Sequence, residues 1–343
     1  MPSRPSPLED LLPKRTGPSP KVAVIGAGLS GVTLARALRA AGYPVQVFEK
    51  SRGPGGRMAT RRTAAGDTFD HGAQYFTARD SLFQEQVRWW KDAGVVAEWR
   101  GDIGTLERGR VTRSEREQTR YVGMPAMGSG VRTDAETFQT RYEIRVERVE
   151  RAGSVWKLTA DSGALLGEYG VVVVAVPAPQ AVPLLAGAPE LAARAATVRM
   201  EPCQAVMARF EERVPLEVDA AFVHGSPLSW IARDASKPGR AQGERWVLHG
   251  SPESSREYLE SAPEVVTARW VEAFVEATGV DVRPVEAVAR RWRYALPAPA
   301  LEETALFDAA MGIGACGDWC GGPRVEGAFL SGVALARRLS SVL

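Results

Sequence analysis

KVAVIG at residues 21–26 is a β-branched run that stops at glycine, and it predicts a short buried strand. In SGVTLARALRAAG (30–42) the apolar residues fall at helical intervals, and Gly42 stands where that helix should stop. PVQVFEK (44–50) returns to a strand pattern. Strand, helix and strand so close together form a βαβ unit, whose right-handed crossover requires a parallel sheet. In SLFQEQVRWWKDAG (81–94), Leu82, Val87 and Trp90 mark the buried stripe of a helix. From about 95 to 150 short strands alternate with charged turns, ending in the alternating run RYEIRVERVE (141–150). YGVVVVAVPAP (169–179) is apolar almost throughout, as expected of a strand covered on both faces. A helix opens after the proline of APQAVPLLAG, an amphipathic one covers 264–278, and another follows from residue 325. No fixed-period repeat appears, so a solenoid is not expected.

Composition narrows the class without naming it. A chain of 343 residues can bury a sizeable core, and a formal charge of +2 gives no global field toward nucleic acid or an acidic membrane. The longest apolar run, VVVVAV at 171–176, is far too short to span a bilayer. Three cysteines (Cys203, Cys316, Cys320) in a chain of this size fit a reducing compartment better than a disulfide framework. Residues 1–20 hold prolines and basic residues but no apolar core of a signal peptide, and read as a flexible leader. The expectation is a cytoplasmic protein with no nucleic-acid or membrane partner.

The chemistry enters at GAGLSG (26–31), a G-x-G-x-x-G fit. GIGACG (312–317) fits the same pattern, so the spacing alone decides nothing. Context does: the first follows a strand, opens a helix, and is followed by Glu49 at the end of the next strand. Gly26 suits the tight turn, Gly28 the approach of a pyrophosphate, and Gly31 close packing of helix on strand. Glu49 suits the two hydroxyls of an adenosine ribose and would repel a 2′-phosphate. An NAD site needs nothing like SRGPGGRMATRR (51–62) after its acid. An FAD site does, because the extended cofactor passes under a second loop, where Gly55 and Gly56 would admit it and Arg57 would face phosphate oxygens. Arg61 and Arg62 read as a solvated face.

VIGAGLSG, FEKSRGPGGRMATRR, FDHGAQYFTARD, SWIARDASKPGR, WVLHG, RRWRYALP and CGDWCGGPRVEGAFLSG occur in that order between residues 21 and 343. Together they resemble the renalases, and bacterial ones most, within the amine-oxidase flavoprotein superfamily. The resemblance implies noncovalent FAD and an α/β fold, α+β overall, similar to p-hydroxybenzoate hydroxylase. A Rossmann-like FAD-binding domain (21–80, 129–190 and 298–343) would be interleaved with a substrate domain carrying an antiparallel sheet (81–128 and 191–297). It further implies that Gly26, Gly28, Leu29, Ser30 and Gly31 hold the pyrophosphate and Glu49 the ribose. Lys50, Arg52, Gly56, Arg57 and Met58 would line the run to the flavin, and Ala73, Gln74 and Tyr75 would lie beside the isoalloxazine. Val146 would present its backbone to adenine, and Gly317 and Asp318 would meet the pyrophosphate and ribityl chain. Glu326, Gly327 and Ala328 would begin a helix aimed at the flavin. The Pro-rich leader and Gly321–Pro323 depart from the family pattern, and His71 is given no role.

Two further constellations need weighing. Cys316 and Cys320 have no nearby histidine to complete a zinc site, so no metal is expected, and they read as packing residues, with covalent attachment of flavin to Cys320 as the alternative. Trp292 and Tyr294 fit either a core or a pocket wall. The resemblance favours His249 and Trp292 as substrate contacts, with Tyr75 beside them. It implies an oxidase of isomeric (2- or 6-) dihydro-NAD(P), transferring hydride to flavin N5, with O2 reduced to H2O2. Amine oxidation by the same scaffold and a flavin-binding scaffold without turnover are the alternatives.

Overall fold

The structure is a computed structural model that describes residues 4–64, 66–113 and 118–343. Two sheets organise it. The first runs in the order β19 (Leu306–Asp308), β20 (Ile313–Ala315), β13 (Val171–Val174), β1 (Val22–Ile25), β2 (Val45–Phe48), β9 (Thr140–Arg141). All neighbours are parallel except β19 with β20. Its period-2 alternation divides two cores. Val22, Val24, Val47, Val171 and Val173 face helices α1 (Leu29–Ala40) and α8 (Val325–Val342). Ala23, Ile25, Phe48, Val172 and Val174 face α4 (Ala178–Leu184) and the antiparallel sheet β10 (Val146–Ala152), β11 (Val155–Ala160), β12 (Leu165–Tyr169). The valine run at 171–174 is therefore the fully buried strand its composition requires. α1 ends at Ala40, with Gly42 in the left-handed region just beyond.

The second sheet has the order β18 (Glu286–Pro297), β14 (Met200–Phe210), β17 (Glu244–Gly250), β16 (Leu228–Arg233), β15 (Ala220–His224), β6 (Ile103–Glu107), β7 (Arg110–Arg113). It is antiparallel but for the β15–β6 pair. One face packs Val206, Trp246, Leu248 and Ala289 on Trp270 and Phe274 of α7 (Pro263–Thr278), beside the short α6 (Pro252–Glu257). The opposite face roofs the first domain. Between the sheets lies the hairpin β3 (Arg61–Arg62) and β4 (Thr68–Phe69), with Phe69 packed under Met207, Val247 and Val288 of the roof. A further pair joins β5 (Val96–Glu98) and β8 (Tyr121–Gly123), and the chain also forms the short helices α3 (Ser129–Ala135) and α5 (Pro189–Ala196).

Three expectations need correction. Residues 4–20 of the expected flexible leader pack down, with Leu8 and Leu12 in the core and Ser6 buried; residues 1–3 lie outside the described residues. Ser6 Oγ donates to Gln86 Oε1 (3.0 Å), Trp89 Nε1 donates to Arg4 O (3.0 Å), and Glu9 pairs with Arg36 (2.7 Å). Helix α2 (Ser81–Asp92) sets Phe83, Val87 and Trp90 into the core cluster that holds Leu34 and Val333 together with Ile103 and Trp230, but Leu82, expected in its buried stripe, is only half-buried. The alternating run at 141–150 is broken: Glu143 takes a left-handed φ of 57°, and the strand starts at Val146.

Candidate cofactor and substrate cleft

A cleft of about 1770 Å³ opens between the C-terminal ends of β1, β2, β13 and β20 and the underside of the roof. Single drug-sized ligands occupy roughly 300–1,000 Å³, so there is space for a cofactor and a second molecule. The position outside the carboxyl ends of parallel strands is where open α/β sheets bind ligands.

The nucleotide end follows from the first βαβ turn. Gly26 sits at φ 108°, and a Cβ there would meet Ala175 O at 2.6 Å. A Cβ on Gly28 would instead enter open space, and one on Gly31 would strike Gly26 O at 2.2 Å. Gly28 caps α1 without a side-chain bond, leaving first-turn N–H groups for an anion. That bare, donor-rich cradle fits a dinucleotide phosphate. Glu49 is nearly buried and accepts from Ala27 N (2.9 Å) and Ser51 N (2.8 Å), which fixes its carboxylate beside the turn.

Leu29, Ser30, Lys50, Arg52, Gly56, Arg57, Met58, Ala73, Tyr75, Val146, Gly317, Asp318, Glu326 and Ala328 also line the cleft. Partial burial, then the charge of Arg145, lowers the pKa of Lys50 against the pull of Glu49. Gly31, Gln74 and Gly327 do not line it. Gly31 and Gly327 serve close packing, the latter against Gly322 O, and the Gln74 side chain turns into a buried network. Arg57 is committed to protein partners: its guanidinium pairs with Asp318 (2.8 Å to Oδ2) and donates to Ala295 O (3.0 Å), tying loop, last strand and roof together. Glu326 accepts from Arg79 N (2.6 Å) and Asp80 N (2.8 Å). Arg61 is half-buried on the cleft wall, whereas Arg62, though at the cleft, is exposed. Cys320 lies outside the lining with its thiol buried and its pKa pushed up by burial, which leaves no accessible thiolate for flavin attachment.

At the roof end, register puts five residues on one face. His249 stands opposite Ala205 and Trp230, and Trp292 opposite Cys203, so both rings project to the cleft side. His249 Nε2 lies 3.1 Å from His71 O, and Trp292 Nε1 donates to the same carbonyl at 2.9 Å. A carbonyl can only accept, so the proton of neutral His249 is on Nε2 and its Nδ1 is an acceptor. Burial lowers the His249 pKa to about 4, so the ring is uncharged at neutral pH. The His71 ring lies against Trp292 with centroids 4.7 Å apart, and burial, then the charge of Arg61, lowers its pKa to about 4 as well. Tyr75 packs on Trp230 (5.7 Å) under the guanidinium of Arg120 (5.4 Å).

The loop carrying His71 is held by a buried ionic network. Lys237 Nζ, fully buried, reaches Asp234 (2.9 Å), Gln74 Oε1 (3.1 Å) and Asp70 (3.4 Å). Arg240 Nε donates to Asp70 (3.2 Å), and its other arm to Gly123 O (2.8 Å). Gln74 Nε2 donates back to Gly72 O (3.1 Å) and Asp70 O, closing a ring around the loop. Burial works against the Asp70 charge, but Lys237 and Arg240 outweigh it and hold its pKa low; Asp234 is pushed up by burial. The network and the His71 carbonyl were missed by sequence reasoning, although acids and cations in FDHGAQYF and SWIARDASKPGR were visible amid apolar neighbours.

With the geometry in place, comparison gives the fold class. Residues 24–88 match the NAD(P)-binding Rossmann-like domain family. The chain carries a Rossmann-like dinucleotide-binding domain. Over 68 residues it is 46% identical to the zeta-carotene-forming phytoene desaturase of Myxococcus xanthus, covering 20% of this chain and 13% of that protein. Over 48 residues it is 48% identical to Lysine-specific histone demethylase 1 homolog 1 of Arabidopsis thaliana, 14% of this chain and 6% of that protein. The matches thus span a small part of these relatives. Whole-chain likeness is structural: a protein of Exiguobacterium sp. 255-15 named for protoporphyrinogen oxidase superposes with TM-score 0.76 at 14% identity, over 95% of this chain and all of that one. Putrescine oxidase bound to putrescine gives TM-score 0.68 at 14% identity, over 94% of this chain and 99% of that one. At such identities the shared property is the fold, and it spans both domains.

Arg57→Ala is expected to weaken FAD binding by about 1–3 kcal/mol, because it removes a charge-assisted donor and leaves Asp318 unpaired in the cleft. Arg62→Ala should change little. The dissociation constants of the two variants and of Arg57→Ala with Asp318→Asn check this: the double variant should recover part of the loss, and equal constants for both single variants would reject the assignment.

Proposed function

We propose that this chain is an FAD-dependent oxidoreductase that oxidises isomeric (2- or 6-) dihydro-NAD(P) to NAD(P)+, with O2 as final acceptor. The observation that carries the reading is the pair of rings, His249 and Trp292, anchored on one carbonyl over a cleft with room for two ligands. The cradle of Gly26, Gly28, Ser30 and Glu49 would hold the cofactor's ADP half, and Arg57, Met58, Ala73 and Tyr75 would line its path to the roof. Bound noncovalently, FAD supplies a two-electron hydride acceptor.

The residues then have simple tasks. Oxidising a dihydropyridine regenerates an aromatic pyridinium and releases no N–H or O–H proton, so no charged base is needed. Neutral His249 offers a fixed acceptor at Nδ1, suited to the carboxamide N–H of a nicotinamide, and Trp292 offers a flat wall. Three of the carboxylates lining the cleft are already engaged, which argues against a cationic amine beside them: Glu201 with Arg256, Asp318 with Arg57, Glu326 with the start of α2. The amine reading keeps one support, the putrescine bound to the structurally similar oxidase.

Stopped-flow mixing of oxidised holoenzyme, without oxygen, with 2-, 4- and 6-dihydronicotinamide dinucleotides and with simple amines tests this. Rapid bleaching by the 2- or 6-isomer alone is expected. Bleaching by amines alone would transfer the protein to the other reading, and bleaching by nothing would leave a binding scaffold.

A further inference from the structure

Resting on the dinucleotide reading for its substrate, we infer that Arg61 on the cleft wall, reinforced by the charge of Arg290 on the roof face that carries Trp292, forms an anion subsite at the substrate end of the cleft, which receives the phosphates of the dihydronicotinamide dinucleotide. The placement follows from two strands. On β18 the residues Val288, Arg290 and Trp292 alternate onto one face, opposite Met207, Ala205 and Cys203. Phe69, the partner of Arg61 across β3 and β4, packs on Val288 and Met207 of that face. Arg61 therefore reaches the cleft wall beneath the stretch of β18 that ends in Trp292.

Several arginines nearby are taken by carboxylates, while Arg52 and Arg62, also on the cleft wall, are exposed. Arg57 is paired with Asp318, and Arg291 and Arg293 share Glu260. The Arg61 and Arg290 side chains have no ion pair with any described residue, and Arg290 Nε is buried without a hydrogen-bond partner. Partial burial first, then Arg290 and Arg52, lower the pKa of Arg61, so the guanidinium groups act on one another. Both also act on His71, which touches Trp292. Like charges gathered at a half-buried wall without a counter-ion favour an anionic ligand. Arg forks suit phosphate oxygens.

The test uses FAD-loaded enzyme, so that the cofactor's own phosphate site is filled. Inorganic pyrophosphate is titrated at low salt, following tryptophan fluorescence and the flavin spectrum, for wild type, Arg61→Gln and Arg290→Gln. Wild type should bind, and each variant should bind about tenfold more weakly, the effect of losing one charge-assisted contact. Alongside, KM for the reactive dihydronicotinamide dinucleotide should rise about tenfold more in each variant than KM for the matching uncharged riboside. Pyrophosphate binding unaltered by both substitutions, or an unchanged ratio of the two KM values, overturns the subsite. If pyrophosphate binding depends on Arg61 while no dihydronicotinamide reduces the flavin, the subsite stands and the proposed activity falls.

Discussion

Lys237→Met is expected to lose about 3–5 kcal/mol of folding stability, the usual cost of removing one partner from a buried ion pair. The side chain is fully buried, and methionine nearly fills its volume, so packing contributes little to the loss. What remains is Asp70 and Asp234 in a dry site with Arg240 as the nearest cation. Asp70 has a lowered folded pKa. Its share of stability is therefore present above the ordinary value of 3.8 and is lost as pH falls through the lowered one. Without Lys237 that lowering shrinks, and the acid unfolding limb should move to higher pH. Lys237→Met with Asp234→Asn should recover part of the loss, because it removes the second uncompensated carboxylate. The functional consequence is separate: Gln74 Oε1 loses the donor it accepts from, the His71 loop loosens, and flavin reduction should slow even where the variant is fully folded. Urea midpoints for the three proteins measure the first effect, and anaerobic reduction at a temperature well below unfolding measures the second. A single variant within about 1 kcal/mol of wild type would show that the network is not what holds this loop.

The sequence was most legible where one local rule decides the structure. GAGLSG and Glu49 specify a turn, a helix start and an acid at a strand end; Gly26 and Gly31 have steric reasons in the folded chain, while Gly28 leaves open space at the start of the helix. The valine run had to be a central strand because no polar side chain interrupts it. Legibility failed where a side chain's partner is distant along the chain. Arg57 was read toward phosphate, but its partner Asp318 is 261 residues away. The leader looked flexible by composition, yet Leu8 and Ser6 find their places only once α1 and α2 are packed. Arg61 looked like one more surface cation in a basic stretch, and only the packing of its strand partner Phe69 on Val288 brings its hairpin under the strand that carries Arg290. His71 was passed over because its contribution is a backbone carbonyl, which side-chain chemistry does not report.

His249→Ala is expected to slow flavin reduction by about one to two decades while leaving the spectrum of bound FAD nearly unchanged. The loss corresponds to about 1–3 kcal/mol, one orienting hydrogen bond in a buried site. The pH profile needs care, because an ordinary imidazole would titrate near 6.5 and this one is lowered to about 4 by burial. Wild-type reduction should thus be flat from about pH 5.5 upward and fall only as the pH approaches 4, where the ring gains a proton and Nδ1 ceases to accept. Flatness at neutral pH is then shared by an orienting residue and by a base of that pKa, so the profile alone does not separate them. Substitution by glutamine does. Its Nε2–H can still donate to His71 O, preserving the anchor, and its amide oxygen can accept, but an amide is not a base. An orienting role requires His249→Gln to recover most of the rate lost in His249→Ala. General-base catalysis typically contributes about 10²–10⁴-fold, and glutamine would restore none of it. The comparison is made under single-turnover conditions without oxygen, so that substrate binding and the reduction step are resolved. If alanine and glutamine variants are both slower by 10³-fold or more, His249 removes a proton and the substrate is not a dihydropyridine.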